Sequence, residues 1–494
     1  MLLKIDELHS RFTSGEEFSV NLAFNSEEIN QEIYSLLLKI MSFLDQLFLT
    51  EVVYTILKEI LVNASKANAK REFFKRNNYD INNPAHYKLG MEKFRAGVTE
   101  KWDKQEEFLI NSGYFINFRG KNDEGFLVFT VENNSSILPE EMKRIQARID
   151  ASKKYNDLSD AFLDMSDTEE SAGLGIILTQ LLLKNTGIGQ QNFKIDSDGT
   201  KTIVSLRIPD QLVPLNITNK FKEKILDEVQ GLPPLPQSLT RIIEMCNNKD
   251  SDMNQIAHEI EKNPALSADL LKLSNSAGFA VRNKVSSIHA AVKVVGLKNI
   301  KNMLYVSGVR KIMDGKYTKL QEVWDHSNKC SFVARYLAME NGRAKYADIG
   351  SVGGLLHDLG KLVLLSIDKS VFSKMSEYKD RDMSSSTVIE EFSIGISHST
   401  LGAILAKKWS FPADVTAAIE FHHRPFMAPP EHREVAELIY LANMITDVIH
   451  FKGNFFAIER SILKSYSLDK KEDFEKFLHK IETLYAAQND LNSA

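Results

Sequence analysis

"GLLHDLGKLV", residues 354–363, sets a His–Asp pair inside an apolar run. Leu355, Leu356, Leu359, Leu362 and Val363 call for a core, whereas His357 and Asp358 call for a metal, a proton or a hydrogen-bond partner. Two arrangements satisfy both demands: a metal site, or a polar cluster that ties helices together. Further histidines lie on either side of the pair. His326 follows "VWD", His398 lies in "GISHSTLGAILAKKW", and His422 and His423 lie in "AIEFHHRP". The chain has 12 histidines in 494 residues, and five of them fall between 326 and 423, each on a different predicted helix apart from the adjacent His422 and His423. Such a set suits a convergent site, because neutral imidazoles bind first-row transition metals and a carboxylate can hold or bridge hard ions. Two metals there would activate a water against a phosphoester. Lys361, one turn beyond His357, is the candidate catalytic residue, able to neutralise phosphate. Cys330, one turn from His326, reads as a small core thiol.

Working outward, helical periods dominate from "GLPPLP" (231–236) to the end, broken by "NNKDSD", "KNPA", "DGKY", "KDRDMSSS" and "APPEH". Residues 231–494 therefore read as an all-α domain. Residues 210–230 are mostly polar and read as a linker with room for one helix. Residues 1–209 mix the two periods. "YFINFR", "GKNDEG", "FLVFTV" reads as strand, turn, strand, and "NFKID", "SDGT", "KTIVSLRI" repeats it, with Val204, Leu206 and Ile208 alternating against Ile203, Ser205 and Arg207. Val52, Val53, Ile56, Leu57, Ile60, Leu61 and Ala64 form a helical stripe. The first part is predicted to be a two-layer α/β sandwich.

The formal net charge of −5 gives no reason to expect nucleic acid or an anionic membrane as partner. Two cysteines cannot build a disulfide framework, which fits a reducing cytoplasm. The opening "MLLKIDELHSRF" is too charged for a signal peptide, and the greasiest runs fall short of a membrane span. "KANAKREFFKR" reads as a solvated basic face with Phe73 and Phe74 turned to the core.

In the first part, Glu59, Asn63 and Lys66 line one side of a helix. A hairpin then ends in "VENNSSILPEE", and "SAGLGIILTQLLLKN" opens a helix after Gly173 and Gly175. This order, over roughly residues 25–209, resembles the GHKL ATPase fold of histidine kinases, gyrase and mismatch-repair ATPases. The resemblance implies an N-box of Glu59, Asn63 and Lys66, the Asn holding magnesium at the phosphates. It implies backbone N–H groups at Gly173 and Gly175 for phosphate, and Glu132 for the adenine amino group. The family's Asp-x-Gly-x-Gly is here "ENNSS", with both glycines gone, and no histidine-bearing dimerisation helix precedes it. That departure implies a degenerate pocket, with weak ATP–magnesium binding and no autokinase activity.

In the second part, "LPPLPQSLTRIIEM", "IEKNPALSADLLKLSNSAGFA" (260–280), "KVSSIHAAVKVVGLKNIKNML", "GLLHDLGKLVL" and "LGAILAKKWSFPADVTAAIEFHH" resemble the HDOD domain, an HD-related output domain of bacterial signalling proteins, over roughly 225–450. The resemblance implies His326, His357, Asp358, His398, His422, His423 and Asn443 as a ligand set for a divalent metal (Mn, Fe or Mg). The family's closing Asp stands here as Asn443 in "LIYLANMITDVI", with Asp447 one turn further on. "HHRPFMAPPEH" lacks the Gly-Tyr-Pro of HD-GYP phosphodiesterases. HDOD domains are regarded as regulatory. The expectation is a cytoplasmic bacterial signalling regulator in which a degenerate ATPase-like sensor controls an HDOD output domain. Its partners would be other signalling proteins, homodimerisation being open. The alternative is a metal-dependent phosphohydrolase gated by the first domain.

Overall fold

The computed structural model describes residues 3–94, 109–155, 174–210, 212, 220–248, 251–275, 284–316, 321–367, 386–451 and 454–493. The chain divides into two compact units: Met1–Asn219 with Ser373–Gly395 and Phe456–Ser461, and Lys220–Phe372 with Ile396–Phe455 and Ile462–Ala494.

The first unit contains α1 (Ile5–Thr13), β1 (Phe18–Leu22), α2 (Glu27–Phe43), α3 (Thr50–Arg76), α4 (Pro84–Phe94), β2 (Ile116–Asp123), β3 (Phe126–Asn133), α5 (Pro139–Ser152), α6 (Leu174–Asn185), β4 (Phe193–Ser197) and β5 (Thr202–Pro209). The strands form one antiparallel sheet in the order β1-β2-β3-β5-β4. Both expected hairpins are present. β1, "FSVNL", is an addition, five residues long and alternating buried with exposed. β2 runs through most of the stretch read as a turn. The reversal is instead the two residues Glu124 and Gly125, at φ 48° and 82°, a pairing whose twist suits a tight hairpin. The sheet buries Phe18, Val20, Ile116, Phe118, Leu127, Phe129, Val131, Leu206 and Ile208 on one face, and α3 packs on β2 and β3. Every residue of the predicted α3 stripe, from Val52 to Ala64, is buried.

The second unit is helical throughout its described residues: α7 (Lys220–Gly231), α8 (Gln237–Asn247), α9 (Met253–Glu261), α10 (Pro264–Ser274), α11 (Ile288–Lys316), α12 (Gln321–Glu340), α13 (Ala347–Leu356), α14 (Leu359–Ile367), then, after α15 (Ser386–Ile394) of the first unit, α16 (His398–Lys408), α17 (Ala413–Phe421), α18 (Arg433–Phe451), α19 (Arg460–Ser465), which begins in the first unit, and α20 (Lys471–Ser493). The stretch read as a linker thus carries α7, which buries Ile225 and Val229. Its C-terminal carbonyls are capped from α16: Lys408 Nζ donates to Val229 O (2.8 Å), Gln230 O (2.8 Å) and Leu232 O (2.7 Å), and Trp409 Nε1 to Pro233 O (3.1 Å). A cation at a helix C-terminus meets carbonyls that lack helical partners. No described helix is long and apolar enough to cross a membrane.

Candidate metal centre

Two glycines of the opening motif set the positions of the helices that carry the histidines. An added Cβ at Gly354 on α13 would lie 2.8 Å from the main chain of Ser331 on α12, and one at Gly360 on α14 would lie 2.0 Å from His398 O on α16. Only glycine permits such backbone approach. The first contact draws the helix ending in His357 onto the helix bearing His326. The second draws Asp358 onto His398.

The result is a buried cluster. His357 and His398 are 0% exposed, Asp358 3% and His422 0%; His326 is also buried and His423 partly so. Asp358 stands in the middle. Its Oδ2 lies 3.4 Å from His357 Nε2 and 3.9 Å from His326 Nε2, and its Oδ1 lies 3.3 Å from His398 Nε2 and 3.7 Å from His422 Nε2. His398 Nε2 is 3.1 Å from both His422 Nε2 and His423 Nε2. The ligand atoms of His398, His422 and His423 form one compact group, and those of His326, His357 and Asp358 another.

The donor set fits a metal. His357 Nδ1 donates to Gly354 O and His422 Nδ1 to Ile419 O, both at 2.8 Å. The protons are therefore on Nδ1, and each Nε2 turns a lone pair into the cluster. His357 Nε2 and Asp358 Oδ1 are buried without a hydrogen bond, a costly state for polar atoms unless an ion completes them. Burial lowers the His357 pKa to about 4, with Asp358 pulling the other way. Burial, then neighbouring imidazoles, also holds His422 and His423 well below the usual range. Burial alone would raise the Asp358 carboxyl, but His357, Lys361, His398 and His326 together hold it well below its ordinary value. Neutral imidazoles around an ionised carboxylate are the forms that bind a cation.

Asn443, 1% exposed, joins the cluster by accepting from His326 Nε2 at 2.9 Å. Lys361 Nζ pairs with Asp358 Oδ2 at 2.8 Å. Asp447 lies behind His326, Oδ1 3.8 Å from Nδ1, and the His450 ring is 5.8 Å from the His326 ring. Asn443, Asp447 and His450 share one face of α18 by their spacing of four and three. Cys330 is a fully buried thiol, raised by burial.

The candidate nucleotide residues of the first unit are only partly assembled. Asn63 Nδ2 donates to Glu59 Oε1 at 2.8 Å, and Lys66 is exposed on the same helix. A Cβ at Gly175 would lie 1.9 Å from Glu59 Oε1, so the Glu59 carboxylate lies against the start of α6. Gly173 lies outside the described residues. Glu132 requires a correction. It lies on the sheet face opposite the buried one, paired with Arg119 (3.0 Å) and Lys201 (3.2 Å). Its neighbour Asn133 is the residue turned to α3, where Asn68 Oδ1 accepts from Asn133 Nδ2 (3.1 Å) and Ser135 Oγ (2.6 Å). Sequence reasoning missed this buried trio.

The HDOD domain family matches residues 232–425. Residues 232–425 are an HDOD domain. A protein of Treponema pallidum (strain Nichols) is 27% identical over 432 residues, covering 87% of this chain and 84% of its own. Among solved structures, an HDOD domain protein from Geobacter sulfurreducens is 21% identical, with 55% of this chain and 97% of that chain covered and a TM-score of 0.44. A protein from Shewanella amazonensis SB2B, named as a candidate metal-dependent phosphohydrolase, is 21% identical, with 53% and 95% covered and a TM-score of 0.39. The HDOD domain of this chain contains His326, His357, Asp358, His398, His422 and His423; Asn443 and Asp447 follow its matched range.

Proposed function

We propose that this chain is a bacterial signalling regulator whose HDOD domain holds a divalent ion in a buried centre and acts on other signalling proteins, rather than turning over a phosphoester rapidly. The observation that carries this reading is the composition of the buried cluster. Five imidazoles surround a single carboxylate, Asp358, and the position where the family closes with Asp is a neutral Asn443 bonded to His326. Two divalent ions would bring four positive charges against the one carboxylate inside the cluster, with Lys361 already paired to it and Asp447 set behind His326. One ion suits the cluster better than the pair a hydrolase would use. Asp358, His357, His398, His422, His326 and His423 would hold it. When bound, it would supply Lewis acidity and a rigid tie between helices. The residues of this chain keep His357 and His422 neutral with the proton on Nδ1, and keep the Asp358 carboxylate ionised.

For the first unit, we propose a degenerate GHKL-like module that serves as sensor or interaction surface. The support is the order of its segments, together with Glu59 seated against Gly175 and Glu132 turned away from α3.

Elemental analysis of the purified full chain, paired with assays on cyclic dinucleotides with added manganese, tests the proposal. The expected result is about one divalent ion per chain and no rapid hydrolysis. Rapid manganese-dependent hydrolysis would make the chain a phosphohydrolase, and a metal-free protein that takes up no ion would leave the cluster as a structural tie.

A further inference from the structure

An imidazole binds a metal through one nitrogen only while its proton sits on the other, so each ligand histidine needs an acceptor behind it. His357 and His422 find theirs in their own helices. Each follows the last residue of its helix, and the carbonyl three residues back, Gly354 O or Ile419 O, takes the Nδ1 proton at 2.8 Å. Carbonyls of a final turn have no helical N–H to accept.

His326 cannot use that device. It lies inside α12, where the carbonyls of the preceding turn belong to the helix ladder. Its Nε2, the atom on the Asp358 side, meets Asn443 Oδ1 at 2.9 Å, an acceptor that draws the proton onto the nitrogen a metal would need. On the other edge of the ring, Asp447 Oδ1 lies 3.8 Å from Nδ1. Asn443 and Asp447 are one turn apart on α18, so a single helix face presents an acceptor to each ring nitrogen. A carboxylate holds an imidazole N–H more strongly than an amide oxygen does.

We infer that Asp447 is the positioning residue that makes His326 a metal ligand: closing from 3.8 Å, it accepts a hydrogen bond from Nδ1–H and leaves the Nε2 lone pair for the ion, in place of the bond that Nε2 now gives Asn443. The inference rests on the metal-holding reading above.

The test uses the full chain stripped of metal and titrated with Zn²⁺ against a chromophoric chelator. It is combined with ¹⁵N NMR of the imidazoles, His326 being assigned through His326→Gln. Asp447→Ala is expected to weaken Zn²⁺ binding by about 10- to 100-fold without changing the melting temperature of the stripped protein. Asp447→Asn, which keeps an acceptor oxygen, is expected to lose less. If Asp447→Ala does lower that melting temperature, the comparison of Asp447→Asn with wild type decides. In the Zn²⁺-loaded wild type, His326 is expected to carry its proton on Nδ1. Wild-type affinity in both variants, or a proton still on Nε2 of His326 in the loaded protein, overturns the assignment while leaving the metal centre intact. A wild-type protein that takes up no Zn²⁺ overturns the metal-holding reading itself, and the assignment with it.

Discussion

His398 Nε2 faces His422 Nε2 at 3.1 Å in the buried core of the HDOD domain. The Nδ1 proton of His422 is committed to Ile419 O, so a lone pair of one ring points at the ring nitrogen of the other. Nitrogen atoms arranged in this way, beside Asp358 Oδ1 without a hydrogen bond, are organised for a cation between them.

On the metal-holding reading, charge sets how many ions the cluster would take. Asn443→Asp adds a carboxylate against His326 and is expected to raise divalent-ion stoichiometry from about one to about two per chain, as read by elemental analysis after dialysis. Unchanged stoichiometry would show that something other than the missing negative charge limits occupancy.

Stability of the metal-free protein should fall with pH through a defined window. The folded-state pKa of His357 is lowered to about 4 by burial, and those of His422 and His423 are also lowered. The unfolded chain therefore binds protons that the folded chain refuses. Stability is complete above the unfolded value of about 6.5 and is lost as pH falls toward 4, by up to about 1.4 kcal/mol per pH unit per group. Asp358, held below its ordinary value, adds its own loss only at still lower pH. Urea unfolding in chelator at pH 7, 6 and 5 measures the slope, and His357→Gln is expected to flatten it.

Gly360→Ala puts a methyl 2.0 Å from His398 O. It is expected to cost about 1–3 kcal/mol by overpacking and to abolish ion uptake, because α14 and α16 must separate. Gly315→Ala, where a methyl meets nothing within 4 Å, serves as control and should leave both melting temperature and ion uptake unchanged.

For the first unit, calorimetry with ATP and magnesium is expected to give binding weaker than about −6 kcal/mol, in the high micromolar range or beyond. Asn63→Ala should change that little, because Asn63 is bonded to Glu59. Micromolar affinity abolished by Asn63→Ala would show a working nucleotide pocket.

The helical half was legible because its signals are local and repeated: apolar periods broken by turn residues, with histidines on separate helices. The α3 stripe and both hairpins were legible for the same reason. What failed needed tertiary information. β2 runs on into Gly120–Asp123, residues that look like a turn until the pairing with β3 holds them extended. Glu132 and Asn133 are both polar and adjacent, and one residue of register decides which of them faces α3. That Asn443 bonds His326 while Asp447 lies on the other edge of that ring depends on how α12 and α18 pack, which no spacing within either helix states.

The contacts at Gly354 and Gly360 have a consequence for ion choice. They place main chain against main chain or carbonyl, so the separation of the ligand-bearing helices is fixed by backbone rather than by adjustable rotamers. Such a pocket has little slack to swell or contract. An ion of the wrong radius would then be opposed by the whole framework, and a metal-holding centre built this way would sort ions by size before it sorted them by ligand chemistry.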